Sequence, residues 1–476
     1  MSAELIVVLI LALFFLLLAV ETPVAFALGM SGAVGVVLLH SFKVANSVLG
    51  NVPFESTAKF SLLVIPLYIL LGAMATQAHI PERIYNVINR VAGRFKGGLA
   101  VATIGACGGF AAVSGSSVAT AATLGKISVH QMIRHGYKAE LATGIVAIGA
   151  TLGILIPPSI IMIMYSIMSG ESIAALFSAG IVPGILSAAA YIVTALILIK
   201  KNGLAADVAG RVSADQPHEN NAGTARVDSG GTDTATVTIV KSTTSAPGTS
   251  IFSEIRSILW LGAILATVML GIFTGTTTLS ESAGVAAVVA TLAVVVEHYK
   301  TGVRGIVRRI RDGLTETASV TSMSFAVLVG AGIFAYFLVS ARVPNNVSRF
   351  FAGLDVPPLL IVALVLLMIV PLGMFLDSLA VVVIVVPIVY PTVIELGFDG
   401  VWFAILLVKL VEIGLLTPPV GMNCFVIAGA TGISLERVFR GVAPFLLCEA
   451  VLVVILLFFP EITLWLPNLL ESAGKG

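Results

Sequence analysis

Two pairs of adjacent prolines interrupt long apolar segments, at Pro157 and Pro158 in LGILIPPSIIM and at Pro418 and Pro419 in IGLLTPPVGMN. Proline lacks an amide hydrogen and disfavours helical geometry in the residue before it, so each pair should break a helix and free carbonyl oxygens. In apolar surroundings these carbonyls need a partner, and a bound cation is one. The pattern therefore predicts two interrupted helices that can bind ions.

A cluster of small polar residues precedes each proline pair by the same distance. The first cluster is SGSS at 114–117 and the second is Asp377 with Ser378, and 40 residues separate each last serine from its proline pair (157 − 117 and 418 − 378). Hydroxyl and carboxylate oxygens are ligands that hard cations prefer. We therefore predict two sodium sites, each joining a polar cluster to a broken helix. The first comprises Ser114, Gly115, Ser116, Ser117, Thr151, Gly153 and Pro157, and the second Asp377, Ser378, Gly414, Thr417 and Pro418.

Some of the charged residues in these segments have two possible roles. Asp377 could bind an ion or cap a helix that starts at Ser378. Lys409 and Glu412 stand three residues apart, which suits either a local ion pair or a role in ion coupling. No arginine stands at mid-segment to clamp a carboxylate, so helix ends and hydroxyls are expected to hold a substrate anion. The candidates for this contact are Ser116, Ser159 and Asn423.

The composition places these motifs in a membrane. Of 476 residues, 58% are hydrophobic and 11% are charged, with a mean hydropathy of +1.07, whereas about 25% of residues in soluble domains are charged. The net charge of +1 gives no reason to expect a nucleic-acid partner. Cys107, Cys424 and Cys448 have the spacing of neither a disulfide framework nor a zinc site. We therefore expect an all-α integral membrane protein in contact with the lipid bilayer.

Ten segments approach the roughly 20 apolar residues that a crossing helix needs. They lie at 5–20, 24–39, 61–76, 139–168, 177–199, 258–273, 283–296, 319–339, 401–430 and 441–459, and those at 139–168 and 401–430 contain the proline pairs. Residues 97–127 and 358–391 contain the polar clusters. After the first cluster only Val118 to Leu124 is apolar or small, which is too short to cross at about 1.5 Å per residue. Both stretches are therefore predicted to be re-entrant hairpins.

The sequence contains an internal repeat. An ungapped offset of 261 residues (418 − 157) pairs Ser117 with Ser378, Gly136 with Gly397, Gly153 with Gly414, Leu155 with Leu416, Gly180 with Gly441 and Pro183 with Pro444. Each half has five crossings, an odd number, so the second copy should be inverted relative to the first. We predict repeats at 1–200 and 251–460, a flexible cytoplasmic linker rich in Gly, Ser and Thr at 201–250, and a tail at 461–476.

Basic residues predict the orientation. If the N-terminus lies outside, most lysines and arginines fall in loops on the inner side, as is usual for membrane proteins. Arg90 and Lys126 flank the first hairpin, whereas Glu395 and Asp399 follow the second. The two hairpins should therefore enter the membrane from opposite faces.

Five segments resemble one known family, the large DctM-type permease of tripartite ATP-independent periplasmic (TRAP) transporters. They are GGFAAVSGSSVATAATLG (108–125), LGILIPPSIIMIMYS (152–166), AGIVPG (179–184), FLDSLAVVVIVVPI (375–388) and EIGLLTPPVGMNCFVIAG (412–429). The resemblance covers nearly the whole chain. Two features depart from it: the insert at 201–250 is longer than the family needs, and Lys409 stands where an uncharged polar residue is expected.

The resemblance implies sodium-driven import of a small carboxylate such as a C4-dicarboxylate or sialic acid across the bacterial inner membrane. It also implies an elevator motion, a periplasmic substrate-binding protein, and a small four-helix (DctQ-type) membrane subunit as a separate chain. No cofactor beyond the coupling sodium ion is expected. A single-component sodium/dicarboxylate symporter would share the same fold features. An intramembrane serine hydrolase could be built on Ser114, but the histidines lie at segment ends or in loops, away from it.

Overall fold

The computed structural model describes residues 2–92, 97–202, 251–352 and 356–474, and these residues form twenty α-helices with no strand among them. The first ten are α1 (Ala3–Ala19), α2 (Val24–Leu39), α3 (Phe42–Thr57), α4 (Val64–Gln77), α5 (Ile80–Ala92), α6 (Gly98–Ser114), α7 (Ser117–Arg134), α8 (Ala139–Leu155), α9 (Ile160–Ser169) and α10 (Ile173–Asn202). A 3-10 turn at Phe60–Leu63 precedes α4. The predicted linker lies outside the described residues from 203 onward.

Ten more helices follow the linker. They are α11 (Ile251–Phe273), α12 (Leu279–His298), α13 (Gly302–Ser340), α14 (Val343–Ala352), α15 (Pro358–Phe375), α16 (Ser378–Glu395), α17 (Gly400–Leu416), α18 (Met422–Thr431), α19 (Leu435–Phe458) and α20 (Pro460–Gly474). A 3-10 turn at Tyr299–Thr301 joins α12 to α13. The residues predicted to be a tail are thus helical as far as Gly474.

The length and composition of the helices fit a membrane. Within the described ranges, eight helical stretches are long and apolar enough to cross a bilayer. They lie at Phe60–Gln77, Ala139–Ser169, Ile173–Lys201, Ile255–Phe273, Leu279–Ser340, Pro358–Phe375, Ser378–Glu395 and Leu435–Phe458. α1 and α2 are apolar but shorter, at 17 and 16 residues. The chain is therefore an all-helical, multi-pass membrane protein, as predicted.

Before the predicted tail, three helices have no counterpart among the predicted crossings and hairpins, because their polar residues leave no long apolar run. α3, α5 and α14 contain too many polar residues to count as crossings. In α5 the apolar residues fall on one side, where Ile80, Ile84 and Tyr85 are buried. α13 also begins 17 residues before the predicted crossing (319 − 302), because an arginine-rich helical segment precedes its apolar part.

Both predicted hairpins are present as helix pairs, and both extend further than predicted. The second arm of the first hairpin, α7, has 18 residues and ends at Arg134 instead of 127. It continues as an amphipathic helix: Leu124, Val129 and Met132 are buried, and Lys126 faces outward. The predicted end of this arm at 127 was therefore too early, because the helix continues beyond the seven residues Val118 to Leu124. The second arm of the other hairpin, α16, ends at Glu395 instead of 391.

The helix boundaries repeat at the predicted offset. Both ends of α7 lie 261 residues before those of α16 (378 − 117 and 395 − 134), and the same holds for α8 and α17 (400 − 139 and 416 − 155). Gly136 and Gly397, which follow the two hairpins, have φ angles of 85° and 84°. Such left-handed backbone favours glycine. The repeated glycines thus end the same helices at the same point in both halves.

The two halves interlock around the hairpins. α7 packs against α18, and α16 packs against α9, so the second arm of each hairpin contacts the far part of the other half's broken helix. Elsewhere α2 runs along α13, where a Cβ at Gly32 would lie 2.8 Å from the Phe334 nitrogen. Small residues permit such close helix approach in membranes. The hairpin and break of each half are therefore positioned by contacts with both halves.

Candidate functional site

The first hairpin turns at Gly115, directly beside the first broken helix. Gly115 has a φ of 60°, and a Cβ there would lie 3.1 Å from the Pro158 carbonyl oxygen. A Cβ at Gly72 of α4 would come equally close to the Cα of Ser114. Ser114, Gly115 and Ser117 are buried, and Ser116 is half-buried. The structure thus brings the predicted tip residues against the double proline, as the sodium hypothesis requires.

The hydroxyl groups of this tip already have local partners. The Ser114 Oγ lies 3.1 Å from the Thr120 Oγ1, and the Thr120 hydroxyl donates to the Ser116 carbonyl at 2.8 Å. The Ser116 Oγ accepts from the Ala119 amide at 3.3 Å as the N-cap of α7. A hydroxyl oxygen has two lone pairs, so these bonds leave acceptor capacity for a further ligand.

The first break, between α8 and α9, is buried. α8 ends at Leu155 and α9 begins at Ile160, and the Ser159 Oγ caps α9 by accepting from the Met162 amide at 3.4 Å. Pro157, Pro158 and Ser159 are all buried. This is the broken helix predicted at 139–168. We define the first nest as the tip residues Ser114–Ser117 together with the break at 156–159.

Two further residues of the predicted first site lie on α8. Gly153 is buried against the tip, since a Cβ there would lie 2.9 Å from the Ala111 Cβ and 3.4 Å from the Ser116 carbonyl carbon. The hydroxyl of Thr151 donates to the Ile148 carbonyl of its own helix at 2.7 Å. Gly153 therefore sets the distance between α8 and the tip, while Thr151 lies further from the break.

The second nest consists of the tip residues Asp377 and Ser378 with the break at 417–421. The Asp377 Oδ1 accepts from the Ala380 amide at 2.6 Å, so this carboxylate caps α16. The Thr417 hydroxyl donates to the Ile413 carbonyl at 2.6 Å. Asp377, Ser378 and Thr417 are half-buried, whereas Pro418 and Pro419 are exposed. Asp377 thus has the capping role, and one carboxylate oxygen remains for another partner.

Close backbone contact seals the second nest on one side. A Cβ at Gly373 of α15 would lie 3.1 Å from the Cα of Gly414 in α17. Because neither glycine has a side chain, the backbones of α15 in the hairpin and α17 in the broken helix can pack in direct contact. Gly414, one of the predicted site residues, therefore has a packing role. The sodium assignments themselves stay predictions.

One hydrogen bond links the first tip to the other half's broken helix. The Ser117 hydroxyl donates to the Asn423 Oδ1 at 3.4 Å, and Asn423 is fully buried near the start of α18. Its Nδ2 is one of the buried donors that has no hydrogen-bond partner among the described residues. Ser116 and Ser159, the other substrate candidates, bond to amides of the helices that they cap. The structure thus joins Asn423 to the tip.

Sequence reasoning missed part of a buried charge cluster. Lys409 and Glu412 do form the local ion pair, at 2.9 Å, but Glu449 of α19 contacts the same ammonium group. Tyr191 of α10 donates to Glu449 at 2.5 Å. A glutamate inside the apolar run LLCEAVLV was a usable signal, because an ionisable residue at membrane depth is usually functional.

One solved structure of a membrane transporter has a fold similar to that of this chain. The structure of the YdaH transporter from Alcanivorax borkumensis superposes with a TM-score of 0.59 and covers 89% of this chain and 90% of its own, at 13% sequence identity. At that identity the likeness concerns the fold alone. The class defined by fold and site is thus a multi-pass, all-helical membrane protein with paired hairpins and broken helices.

Sequence comparison identifies the family. Residues 11–462 match the family described as "Tripartite ATP-independent periplasmic transporter, DctM component". The C4-dicarboxylate TRAP transporter large permease protein DctM of Pseudomonas aeruginosa is 31% identical over 93% of this chain and 94% of its own length. The sialic acid large permease SiaM of Vibrio cholerae is 28% identical over 96% and 98%. The chain therefore belongs to the DctM family of TRAP transporter large permeases and is a transporter component, not an enzyme.

Proposed function

We propose that this chain is the large membrane subunit of a sodium-driven importer of small organic anions, chiefly carboxylates. A binding protein would deliver these anions to it. The observation that carries the proposal is the link from Ser117 to Asn423, which places a buried amide with a free N–H beside the first nest. Relatives are named for C4-dicarboxylate, sialic acid and isethionate, all of which are small organic anions. An amide donor without a partner among the described residues suits an anionic oxygen.

The ends of three helices add to this preference for anions. α7 begins beside Ser116, α9 begins beside Ser159 and α18 begins one residue before Asn423. A helix N-terminus carries a partial positive charge and free amide groups, which favour an anion. Substrate would therefore lie between the first tip and α18, with sodium ions held by carbonyl, hydroxyl and Asp377 oxygens of the two nests.

The transport motion would follow from the repeat. The two halves would have inverted topology, with their hairpins entering from opposite faces, and the hairpins and broken helices would move together against α1–α5 and α11–α14 in an elevator motion. Two observations support this motion. The helix boundaries repeat between the halves, and the second arm of each hairpin packs against the other half's broken helix, α7 against α18 and α16 against α9. Inverted repeats with a site between broken helices are a common plan for secondary transporters.

The proposal includes two protein partners and a location. The chain would lie in the bacterial inner membrane with a periplasmic N-terminus, beside a small four-helix membrane subunit, and would receive substrate from a periplasmic binding protein. The isethionate permease DctMQ of Oleidesulfovibrio alaskensis is 27% identical over 95% of this chain, which covers only 65% of that protein. Its longer chain and composite name are consistent with a small subunit as a partner of the large one.

The test is transport by the purified complex in proteoliposomes. Succinate, sialic acid and isethionate are each supplied with a sodium gradient, with a matched potassium gradient, and with or without the binding protein. We expect accumulation of one of these anions that needs both sodium and the binding protein. Accumulation without the binding protein would favour a single-component sodium/dicarboxylate symporter. Equal accumulation with potassium would contradict the sodium coupling.

A further inference from the structure

α13 is longer than a membrane crossing needs. It has 39 residues, so at 1.5 Å per residue it is about 58 Å long, whereas the hydrocarbon core of a bilayer is about 30 Å thick. The apolar crossing predicted at 319–339 accounts for only the second half of the helix. We call the part before it, residues 302–318, the arginine arm. The arm is helical throughout and contains four arginines.

Two parallel stripes of side chains run along the arginine arm. Residues spaced by three or four positions share one side of a helix. The apolar stripe consists of Val303, Val307, Ile310 and Leu314, and the arginine stripe, one position further at each step, consists of Arg304, Arg308 and Arg311. Gly313 and Thr317, which lie on the other side of the apolar stripe, are buried. The arm therefore packs on the protein by one side and presents both stripes outward.

The apolar stripe is uncovered in the structure. Val303 is 77% exposed, Val307 57% and Leu314 50%. Val307, Ile310, Arg311 and Leu314 also line an open groove on the arm. A contiguous apolar surface that is rimmed by polar residues marks a protein or membrane contact, because exposing it to water is unfavourable. The stripe leads directly into the apolar crossing, so lipid is adjacent to it.

The arginine stripe lacks acidic partners. Among the described residues Arg304 and Arg311 have no ion pair, and Arg308 has a contact of 4.0 Å with the exposed Asp312. Other exposed arginines do have partners within the chain, as in the pairs Arg437–Glu140 at 3.0 Å and Arg440–Glu436 at 2.6 Å. The charge of the arginine stripe is therefore available to an anion outside the chain.

The repeat shows that these arginines are not part of the shared backbone plan. At the offset of 261 residues, α3 (Phe42–Thr57) corresponds to 303–318 of the arm. Arg304 corresponds to Lys43, but the positions of Arg308 and Arg311 are occupied in α3 by Ser47 and Gly50. In the proposed inverted topology α3 and the arm lie at opposite faces, with the arm on the cytoplasmic side. The arginine stripe thus belongs to one face of the membrane.

We propose that the arginine arm is a binding site for an anionic phospholipid at the inner surface of the membrane. An acyl chain covers the apolar stripe, and the phosphate group contacts the arginine stripe beside it. Amphipathic helices with basic residues next to an apolar face bind anionic membrane surfaces in this way, and guanidinium groups match the geometry of phosphate oxygens. The inner location rests on the proposed function, whereas the binding of the lipid does not.

Lipid binding to the purified complex of the large and small subunits tests the site. The complex is delipidated in detergent, and phosphatidylglycerol or phosphatidylcholine is added and counted by native mass spectrometry. We expect a clear preference for phosphatidylglycerol, and we expect added salt to weaken it, because salt screens exposed charges. Glycerol phosphate, which has the phosphate group without acyl chains, should not displace the lipid.

Two matched triple variants locate the site. The first neutralises the arginine stripe and carries Arg304→Gln, Arg308→Gln and Arg311→Gln. At about fivefold per basic residue, its affinity for phosphatidylglycerol should fall roughly a hundredfold. The second removes the same charge from exposed residues elsewhere and carries Lys126→Gln, Lys200→Gln and Arg440→Gln. It should keep the wild-type affinity.

Four results would overturn the lipid site. They are equal binding of the two lipids by the wild type, displacement by glycerol phosphate, unchanged affinity in the first triple variant, and an equal loss in the second. The first two need no variant, so a misfolded variant cannot hide the answer. Binding to the large chain alone but not to the complex would also overturn it, because the small subunit would then cover the arm. A failure of sodium-driven uptake would instead contradict the proposed function and would leave the lipid result standing.

Discussion

The two nests have the same backbone plan and different surroundings. In the first nest the proline pair is buried and three hydroxyl groups line the tip, whereas in the second the proline pair is exposed and a carboxylate stands at the tip. Ser116 and Asp377 are equivalent by the repeat offset (377 − 116), and each caps the helix that follows it. The repeat has thus kept the turn and the cap while the charge and the exposure have diverged.

This difference separates the roles expected of the two nests. The first nest is closed in this conformation and touches Asn423, so the proposed substrate position lies beside it. The second nest contains the Asp377 carboxylate, so of the two proposed sodium sites it is the one expected to depend most on charge.

The largest effect is expected from a methyl group at Gly414. A Cβ there would lie 2.6 Å from the Gly373 Cα, which is backbone and cannot rotate away. Overpacking of this kind costs about 1–3 kcal/mol, so Gly414→Ala should lower the thermal unfolding midpoint in detergent and reduce sodium-driven uptake. Gly153→Ala should cost less, because its nearest neighbour, the Ala111 Cβ, would lie 2.9 Å away instead of 2.6 Å.

Gly429→Ala is the matched control for this prediction. Gly429 also lies in a helix of the second half, but a Cβ there would have no neighbour within 4 Å. Its unfolding midpoint should equal or slightly exceed that of the wild type, because alanine favours helix. Equal midpoints for Gly414→Ala and Gly429→Ala would show that the glycine contact does not seal the second nest.

The next effect concerns the charge of the second nest. Asp377→Asn keeps a side chain that caps helices well, so stability should change little. Loss of a charged ligand costs about 1.5–3 kcal/mol, so we expect at least roughly a tenfold higher sodium concentration for half-maximal uptake. Asp399→Asn, which alters the N-cap of α17, is the control. Unchanged sodium activation in Asp377→Asn would remove this residue from the sodium site.

A smaller effect is expected from the cap of the first nest. Ser116→Ala removes the acceptor for the Ala119 amide and should destabilise the protein by about 1 kcal/mol. Ser116→Asp restores the cap and copies the chemistry of the second tip. Its unfolding midpoint should return to the wild-type value, while uptake of an anionic substrate should fall. Full uptake by Ser116→Asp would contradict the placement of the anion at the first nest.

The smallest effect is expected from the bond that joins the halves. The contact between the Ser117 Oγ and the Asn423 Oδ1 is long, at 3.4 Å, so Ser117→Ala should cost at most about 1 kcal/mol. It should nevertheless raise the substrate concentration for half-maximal uptake, because the amide of Asn423 loses its orientation. Ser378→Ala, at the equivalent position of the second tip, should leave that concentration unchanged. An equal change in this substrate concentration in both variants would contradict different roles for the two nests.

The sequence was informative wherever backbone chemistry decides the structure. The proline pairs predicted both broken helices, because proline acts on the local backbone in any environment. The polar clusters predicted where each of the two helix pairs turns. The ends of α7 and α16 were missed, because an apolar count stops at the first polar residues and the helices continue beyond them. α3, α5 and α14 were missed for the same reason.

The site was less predictable, because its properties depend on packing between distant helices. Glu449 stands 40 residues after Lys409 (449 − 409), and only the approach of α19 to α17 brings them together. The contrast between buried Pro157 and exposed Pro418 cannot be read from two nearly identical motifs. Nor does the spacing show that Asp377 uses one oxygen for a cap.

The two hairpins are proposed to enter the membrane from opposite faces, and cysteine labelling measures on which face the flanks of each hairpin lie. In a background without Cys107, Cys424 and Cys448, single cysteines replace residues that flank the hairpins. They are Arg90→Cys and His135→Cys for the first hairpin, and Pro357→Cys and Glu395→Cys for the second. We expect an impermeant thiol reagent to label the first pair only from the cytoplasm and the second only from the periplasm. Labelling of the two members of either pair from opposite faces would contradict the account.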